Sequence, residues 1–221
     1  MTANEKGIEI ARQQSDGRAA ISEHGIEIRY KGKPVDAKEI HGGYVYLVVD
    51  CSGSMEGDKL NQAKKGALNF AKDALIKGYY TGLIRFDSSA SLLCEPQRET
   101  SALERCLKQL ETGDTTNMAE AINLAHTQLK GISRSRVMVI ITDGMPNGPD
   151  DPEASLRAGE RAKKDGIDII TIGTDDADHS FLKKLASRSE LGIKVSSKQL
   201  QQTITASVRM LPAGGDSKSK K

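Results

Sequence analysis

An acid and two hydroxyls follow a strongly apolar stretch near residue 44 and set the first chemical expectation. Residues 44–49 are β-branched, aromatic or leucine, a composition that predicts a buried strand, and the strand ends in Asp50. Two hydroxyls follow at alternate positions, Ser52 and Ser54, and Gly57 allows a sharp turn before a helix begins. Open α/β sheets bind ligands at the carboxyl ends of their parallel strands, so this loop is the first candidate site.

Two further polar loops lie in equivalent places along the chain. Residues 112–117 form a hydroxyl-rich segment that contains Thr115 and Thr116 and opens a helix. Residues 137–141 form a second strongly apolar strand, which is followed by Asp143 and a glycine. Because the carboxyl ends of parallel strands share one edge of a sheet, we expect all three loops to meet there.

The oxygen atoms of these loops indicate a site for a hard divalent cation. One or two carboxylates with two or three hydroxyls and water suit near-octahedral coordination. Mg²⁺ or Mn²⁺ fits this set better than Zn²⁺, because no histidine or cysteine joins it. So few charged ligands would leave one coordination position open to an oxygen from outside the chain.

Taken together, the three loops resemble the von Willebrand factor type A (VWA) domain and its metal-ion-dependent adhesion site (MIDAS). That site uses an Asp-x-Ser-x-Ser loop, a separate threonine and a separate aspartate. Residues 50–60 closely match the family's longer sequence pattern for the first loop, Asp-x-Ser-Gly-Ser-Met-x-Gly-x-Lys-Leu. The resemblance covers about residues 43–210. Asp114 and Thr115 depart from the small residues usual before the family's threonine, which keeps Thr115 as a competing assignment. The metal ligands that the resemblance implies are Asp50, Ser52, Ser54, Thr116 and Asp143.

The resemblance also implies a fold and a function. The fold is a Rossmann-like, doubly wound, mostly parallel sheet with one antiparallel edge strand. The function is protein binding rather than catalysis: the cation, held by hydroxyls and through water by the acids, captures a Glu or Asp carboxylate of a partner protein. Family analogy adds a multi-protein complex with an AAA ATPase as one setting for such a module.

Two other functions use the same residues. In a Mg²⁺-dependent phosphohydrolase Asp50 would be the nucleophile, but Ser52 stands where such enzymes place a second acid, and no lysine is obviously placed to help. In a scaffold, the metal would serve stability alone.

Secondary-structure periodicity supports an α/β domain. From residue 44 onwards strands alternate with helices, and the short link at 87–89 favours an antiparallel pair of strands. The acids of residues 175–179 are interpreted as the start of a helix rather than a second metal site. The expected strands are 44–49, 81–86, 90–94, 137–141, 167–172 and 193–195, and the expected helices end near residues 77, 110, 129, 164, 186 and 211.

The chain is expected to have three parts. Residues 1–42 form an N-terminal extension, 43–211 the VWA-like domain and 212–221 a disordered tail. The extension repeats the tetrapeptide Gly-Ile-Glu-Ile at residues 7 and 25. Its alternating apolar residues predict one or two edge strands or a hairpin, with a turn at residues 31–34.

Composition excludes several functional classes. The net charge is +2, from 32 basic and 30 acidic residues, which provides no general attraction to nucleic acid or to an anionic membrane. No apolar stretch reaches the length of a membrane span or of a signal peptide. The three cysteines, Cys51, Cys94 and Cys106, form no Cys-x-x-Cys pair and are expected to be reduced. These features favour a cytoplasmic location without a membrane or a nucleic-acid partner.

Overall fold

The computed structural model describes residues 17–22, 25–30, 42–147 and 152–212. The chain divides into two compact units, residues 1–40 and 41–221. No helix within these described ranges is both long enough and apolar enough to cross a lipid bilayer.

The first unit contains a two-stranded antiparallel sheet, β1 (Gly17–Ser22) and β2 (Gly25–Tyr30). The strand predicted over residues 26–30 is therefore confirmed. Ser22 lies opposite Gly25 at the end of this pair. The turn predicted at residues 31–34 falls outside the described ranges. The earlier tetrapeptide at residues 7–10 lies outside the described residues.

The second unit is built on a six-stranded sheet in the order β5-β4-β3-β6-β7-β8. Every neighbouring pair is parallel except β4 and β5, which are antiparallel and place one reversed strand at the edge. This confirms the predicted Rossmann-like, mostly parallel architecture. The strands are β3 (Tyr44–Asp50), β4 (Tyr80–Phe86), β5 (Ala90–Gln97), β6 (Arg136–Thr142), β7 (Asp168–Thr174) and β8 (Gly192–Val195).

Six α-helices connect or follow these strands in the described part of the second unit. They end within a few residues of the predicted positions, except that the last helix becomes a 3₁₀ turn at Ser207–Met210. The helices are α1 (Asp58–Ile76), α2 (Thr100–Lys108), α3 (Met118–Leu129), α4 (Pro152–Lys164), α5 (His179–Leu185) and α6 (Leu200–Ala206).

The core has two layers because successive side chains of a strand point to opposite faces of the sheet. Val45, Leu47 and Val49 of β3 pack with α1, α2 and α6, whereas Tyr46 and Val48 pack with α3, α4 and α5. Burial of β3 and β6 on both faces explains their nearly continuous apolar sequences.

Local sequence signals set the ends of several helices. Gly57 and Gly78 flank α1 with φ values of 79° each, which non-glycine residues rarely adopt. The side chain of Asp178 accepts a hydrogen bond from Phe181 N at 2.9 Å and caps α5. The interpretation of residues 175–179 as a helix start is thus confirmed.

Candidate metal centre

Asp50 is the most deeply buried acid of the candidate centre. It ends β3 with no exposed surface, and its Oδ1 accepts a hydrogen bond from Ser52 N at 2.8 Å. Its Oδ2 accepts one from Thr142 Oγ1 at 2.6 Å. Burial raises the pKa of Asp50 to about 6, and the hydrogen bonds from Thr142 and Ser52 offset only part of that effect. The carboxylate is therefore held by neutral donors in a site that disfavours its charge.

A chain of oxygen atoms joins the first loop to the loop after β6. The hydroxyls of Ser52 and Ser54 are 3.2 Å apart, and Ser54 Oγ donates to Asp143 Oδ1 at 2.7 Å. Ser52 and Asp143 are buried, whereas Ser54 is exposed. The structure thus brings together Asp50, Ser52, Ser54 and Asp143, which come from two separate loops at one edge of the sheet.

The threonine loop is attached to the first loop through main-chain atoms. Gly113 N donates to Cys51 O at 2.6 Å, and Gly53 N donates to Asp114 O at 3.4 Å. A Cβ atom at Gly113 would collide with the carboxylate of Asp87, so the close approach of this loop requires glycine. All three predicted loops therefore lie at the same end of the sheet.

Asn147 links the threonine loop to the loop that contains Asp143. Its Oδ1 accepts from Thr116 N at 2.9 Å, and its main-chain N donates to Thr116 O at 3.2 Å. Asn117 N in turn donates to Asp87 O at 2.6 Å, which ties the same loop to the turn after β4. The backbone of Thr116 is therefore fixed from two sides.

Both candidate threonines are held close to the centre. Thr116 is only 2% exposed, and its hydrogen bonds to described residues all use backbone atoms. The hydroxyl of Thr115 is buried and has no hydrogen-bond partner among the described residues. The choice of Thr116 rather than Thr115 as a metal ligand stays a prediction.

Lys59 brings a fixed positive charge to the centre, which sequence reasoning missed. Its Nζ donates to Asp143 Oδ2 at 2.6 Å and lies 3.0 Å from Asp175 Oδ2. Burial alone lowers the pKa of Lys59, but the two carboxylates outweigh it and raise that pKa above its ordinary value. The same contact lowers the pKa of Asp175. Lys59 reaches these acids from the first turn of α1.

Other supporting residues were also missed at the sequence level. Thr142, Asn147, Asp87 and Asp175 all stabilise the loops through contacts with distant parts of the chain. Thr142 carried a weak signal, since a hydroxyl at the last position of a buried strand needs a partner. Cys51, beside Asp50, is fully buried, and burial raises the pKa of its thiol to about 11.

The residues present fit a hard divalent cation. Within the described ranges, no three histidine, cysteine or acidic side chains cluster as a metal site. The candidate donors are instead the carboxylates of Asp50 and Asp143 and the hydroxyls near them. A buried carboxylate with a raised pKa gains from a nearby cation, because the cation offsets the cost of its charge. Oxygen-only donors of this kind match the ligand preference of Mg²⁺ and Mn²⁺.

A sequence model of the von Willebrand factor type A domain matches residues 45–206. The chain belongs to the VWA family. It is 32% identical over 146 residues to a UPF0353 protein of Mycobacterium tuberculosis, an alignment that covers 58% of this chain and 43% of the relative. The chain thus spans less than half the length of this curated VWA relative.

Solved structures share the VWA fold at low sequence identity. The vWF domain of the type V pili tip protein Mfa5 from Porphyromonas gingivalis superposes with a TM-score of 0.69 at 14% identity, covering 76% of this chain and 94% of that one. Proximal thread matrix protein 1 from the mussel byssus, solved with a zinc-occupied MIDAS motif, gives a TM-score of 0.60 at 17% identity. That alignment covers 76% of this chain and 46% of the mussel protein.

Proposed function

We propose that this VWA domain is a metal-dependent protein-interaction module. A divalent cation at the MIDAS captures an acidic side chain of a partner protein. The observation that carries the proposal is the chain of oxygen atoms from Ser52 through Ser54 to Asp143, with Asp50 buried beside it. The proposed metal ligands are Asp50, Ser52, Ser54, Thr116 and Asp143.

The state of Asp50 supports binding over catalysis. A nucleophilic carboxylate needs an accessible oxygen, yet Asp50 is fully buried and both of its oxygens already accept hydrogen bonds. When bound, the cation would supply an electrophilic centre for an anionic ligand. The chain's own contribution is to hold mostly neutral hydroxyl donors around it, so that a partner carboxylate adds much of the missing negative charge.

We propose Mg²⁺ or Mn²⁺ as the resident ion, since the donors are all oxygen. The mussel relative with zinc at its MIDAS motif makes Zn²⁺ the ion to compare in the same assay. The wider setting is proposed as well: a cytoplasmic protein partner, no nucleic acid or membrane, and by family analogy a complex with an ATPase. Residues 1–42 and 212–221 are proposed as an extension and a tail outside the binding domain.

The first test measures thermal unfolding of the full chain with EDTA, Mg²⁺, Mn²⁺ or Zn²⁺. An ion at a hundred times its dissociation constant stabilises the fold by about 2.7 kcal/mol. Asp50→Ala should abolish this stabilisation, whereas Glu56→Ala, which removes an exposed acid beside the site, should retain it. An equal metal response in both variants would contradict the proposed ligand set.

The second test captures partners from native cell extract with and without EDTA, and identifies them by mass spectrometry. Capture of one specific protein should require the metal and should be lost in Thr116→Val but kept in Thr115→Val. The reverse order would reassign the threonine ligand to Thr115. Equal capture by Asp50→Ala would instead support a purely structural metal, and phosphoester turnover that is lost in Asp50→Asn would support a phosphohydrolase.

A further inference from the structure

Lys59 connects the candidate centre to a third strand of the sheet. It lies in the first turn of α1, and its side chain is only 25% exposed. Its ammonium donates to Asp143 Oδ2 at 2.6 Å and lies 3.0 Å from Asp175 Oδ2, in the loop after β7. One carboxylate oxygen of Asp143 therefore accepts a hydrogen bond from Ser54, and the other accepts one from Lys59.

Asp175 is held in an unusual backbone conformation at this contact. Its φ is 48°, and no other non-glycine residue in the described ranges has a positive φ. Aspartate and asparagine tolerate this left-handed region better than most residues. The Oδ1 atom of Asp175 accepts from Thr174 Oγ1 at 3.3 Å, which leaves Oδ2 directed at Lys59. The loop thus aims a carboxylate at the ammonium.

We propose that Lys59 and Asp175 are a positioning pair that tunes the charge of the metal centre through Asp143. The inference rests on the proposed metal site and deepens it. Lys59 neutralises part of the negative charge of Asp143. Because Asp175 pairs with the same ammonium, Asp143 keeps more of its negative charge for the cation. The pair therefore sets how strongly the centre attracts a divalent cation.

The sign of each effect follows from the charges. An ammonium in contact with a ligand carboxylate repels an incoming cation, so Lys59 lowers metal affinity. The retained positive charge leaves the bound ion more attractive to a partner carboxylate. Without the charge of Asp175, the ammonium would pair with Asp143 alone and neutralise it more completely. Metal affinity would therefore fall. The two residues are expected to act in opposite directions.

The test titrates Mn²⁺ into the full chain and follows free Mn²⁺ by electron paramagnetic resonance. We expect Lys59→Gln to tighten Mn²⁺ binding and Asp175→Asn to weaken it, each on the order of fivefold. Asparagine keeps the backbone tolerance of residue 175, so that variant changes charge with little strain. Lys65→Gln, an exposed site on the same helix, is the matched control, and Lys59→Arg should restore near-original affinity.

A double variant separates positioning from general electrostatics. If Asp175 acts through Lys59, the effect of Asp175→Asn should largely disappear when Lys59 is already glutamine. Additive effects, or a Lys59→Gln affinity equal to that of Lys65→Gln, would overturn the proposal while leaving the metal site intact. Loss of Mn²⁺ binding by the unmodified chain would refute the metal site and this inference together.

Discussion

Asp50 is the last residue of β3 and Asp143 follows the end of the neighbouring strand β6, yet the two carboxylates have different electrostatic surroundings. Asp50 has no exposed surface and only neutral hydrogen-bond donors, and burial raises its pKa to about 6. Asp143 is 2% exposed, and it contacts the ammonium of Lys59 at 2.6 Å. The chain therefore places a cation of its own beside Asp143 and only neutral donors beside Asp50.

The register of the sheet explains this difference. Val49 of β3 lies beside Ile141 of β6, so the residue level with Asp50 is Thr142, and Asp143 comes one position later. Because side chains alternate between faces, Asp50 and Thr142 continue the face of Val48 and Ile140, which packs on α3, whereas Asp143 follows the end of β6 and contacts Lys59 of α1. An offset of one residue thus decides which acid meets Lys59.

Substitution of Asp50 by asparagine should show the largest effect. At pH 7 in EDTA, Asp50→Asn should raise the free energy of unfolding by up to about 3 kcal/mol, because the pKa shift from 3.8 to about 6 costs about 1.4 kcal/mol per unit. The gain is reduced because the amide group takes away the acceptor of Ser52 N or of Thr142 Oγ1. Urea denaturation measures this change. A destabilised variant would show that the charge of Asp50 is already compensated within the fold.

The matched change at the other acid should act in the opposite direction. Asp143→Asn removes the charge that pairs with the half-buried ammonium of Lys59, so the metal-free protein should lose about 1.5 kcal/mol. The same denaturation series in EDTA tests the sign. Stabilisation by both asparagine variants would remove the distinction between the two acids.

The pH dependence of stability isolates Asp50. Since its folded pKa lies above the unfolded value, the folded chain binds the proton more tightly, and metal-free stability should increase by about 1 kcal/mol from pH 7 to pH 5. Asp175 and Asp178 have lowered pKa values, so their contributions are lost only below about pH 4, outside this window. Asp50→Asn should abolish the gain, and its persistence in that variant would assign it to another group.

Ser54→Ala should have the smallest effect on the fold. Ser54 is exposed, so loss of its hydrogen bond to Asp143 should cost about 0.5 kcal/mol without metal. The stabilisation by Mg²⁺ should nevertheless fall sharply, if Ser54 is a ligand. Calorimetric unfolding with and without Mg²⁺ separates the two contributions, and an unchanged Mg²⁺ effect would remove Ser54 from the ligand set.

Local patterns predicted the strands and the loops because their causes are local. Apolar runs marked β3 and β6, and the link at residues 87–89 marked the antiparallel pair. The first strand of the first unit, Gly17–Ser22, was not predicted, because it carries little apolar alternation.

The support of the centre could not be predicted from the sequence in the same way. Thr142 reaches Asp50 across 92 positions of the chain, and Lys59 reaches Asp143 across 84. Such contacts depend on strand register and on the rotation of α1, which no local pattern specifies. The metal-ligating role of each predicted residue stays a prediction until an ion is measured.

Main-chain bonds join the loops around the centre: Gly113 N to Cys51 O, Asn117 N to Asp87 O and Asn147 N to Thr116 O. Apart from position 113, where the close approach to Asp87 requires glycine, every residue type except proline can make these bonds. The exposed side chains of these loops can therefore change without loss of these main-chain bonds. Structural relatives that keep the fold at 14–17% identity are in keeping with that freedom.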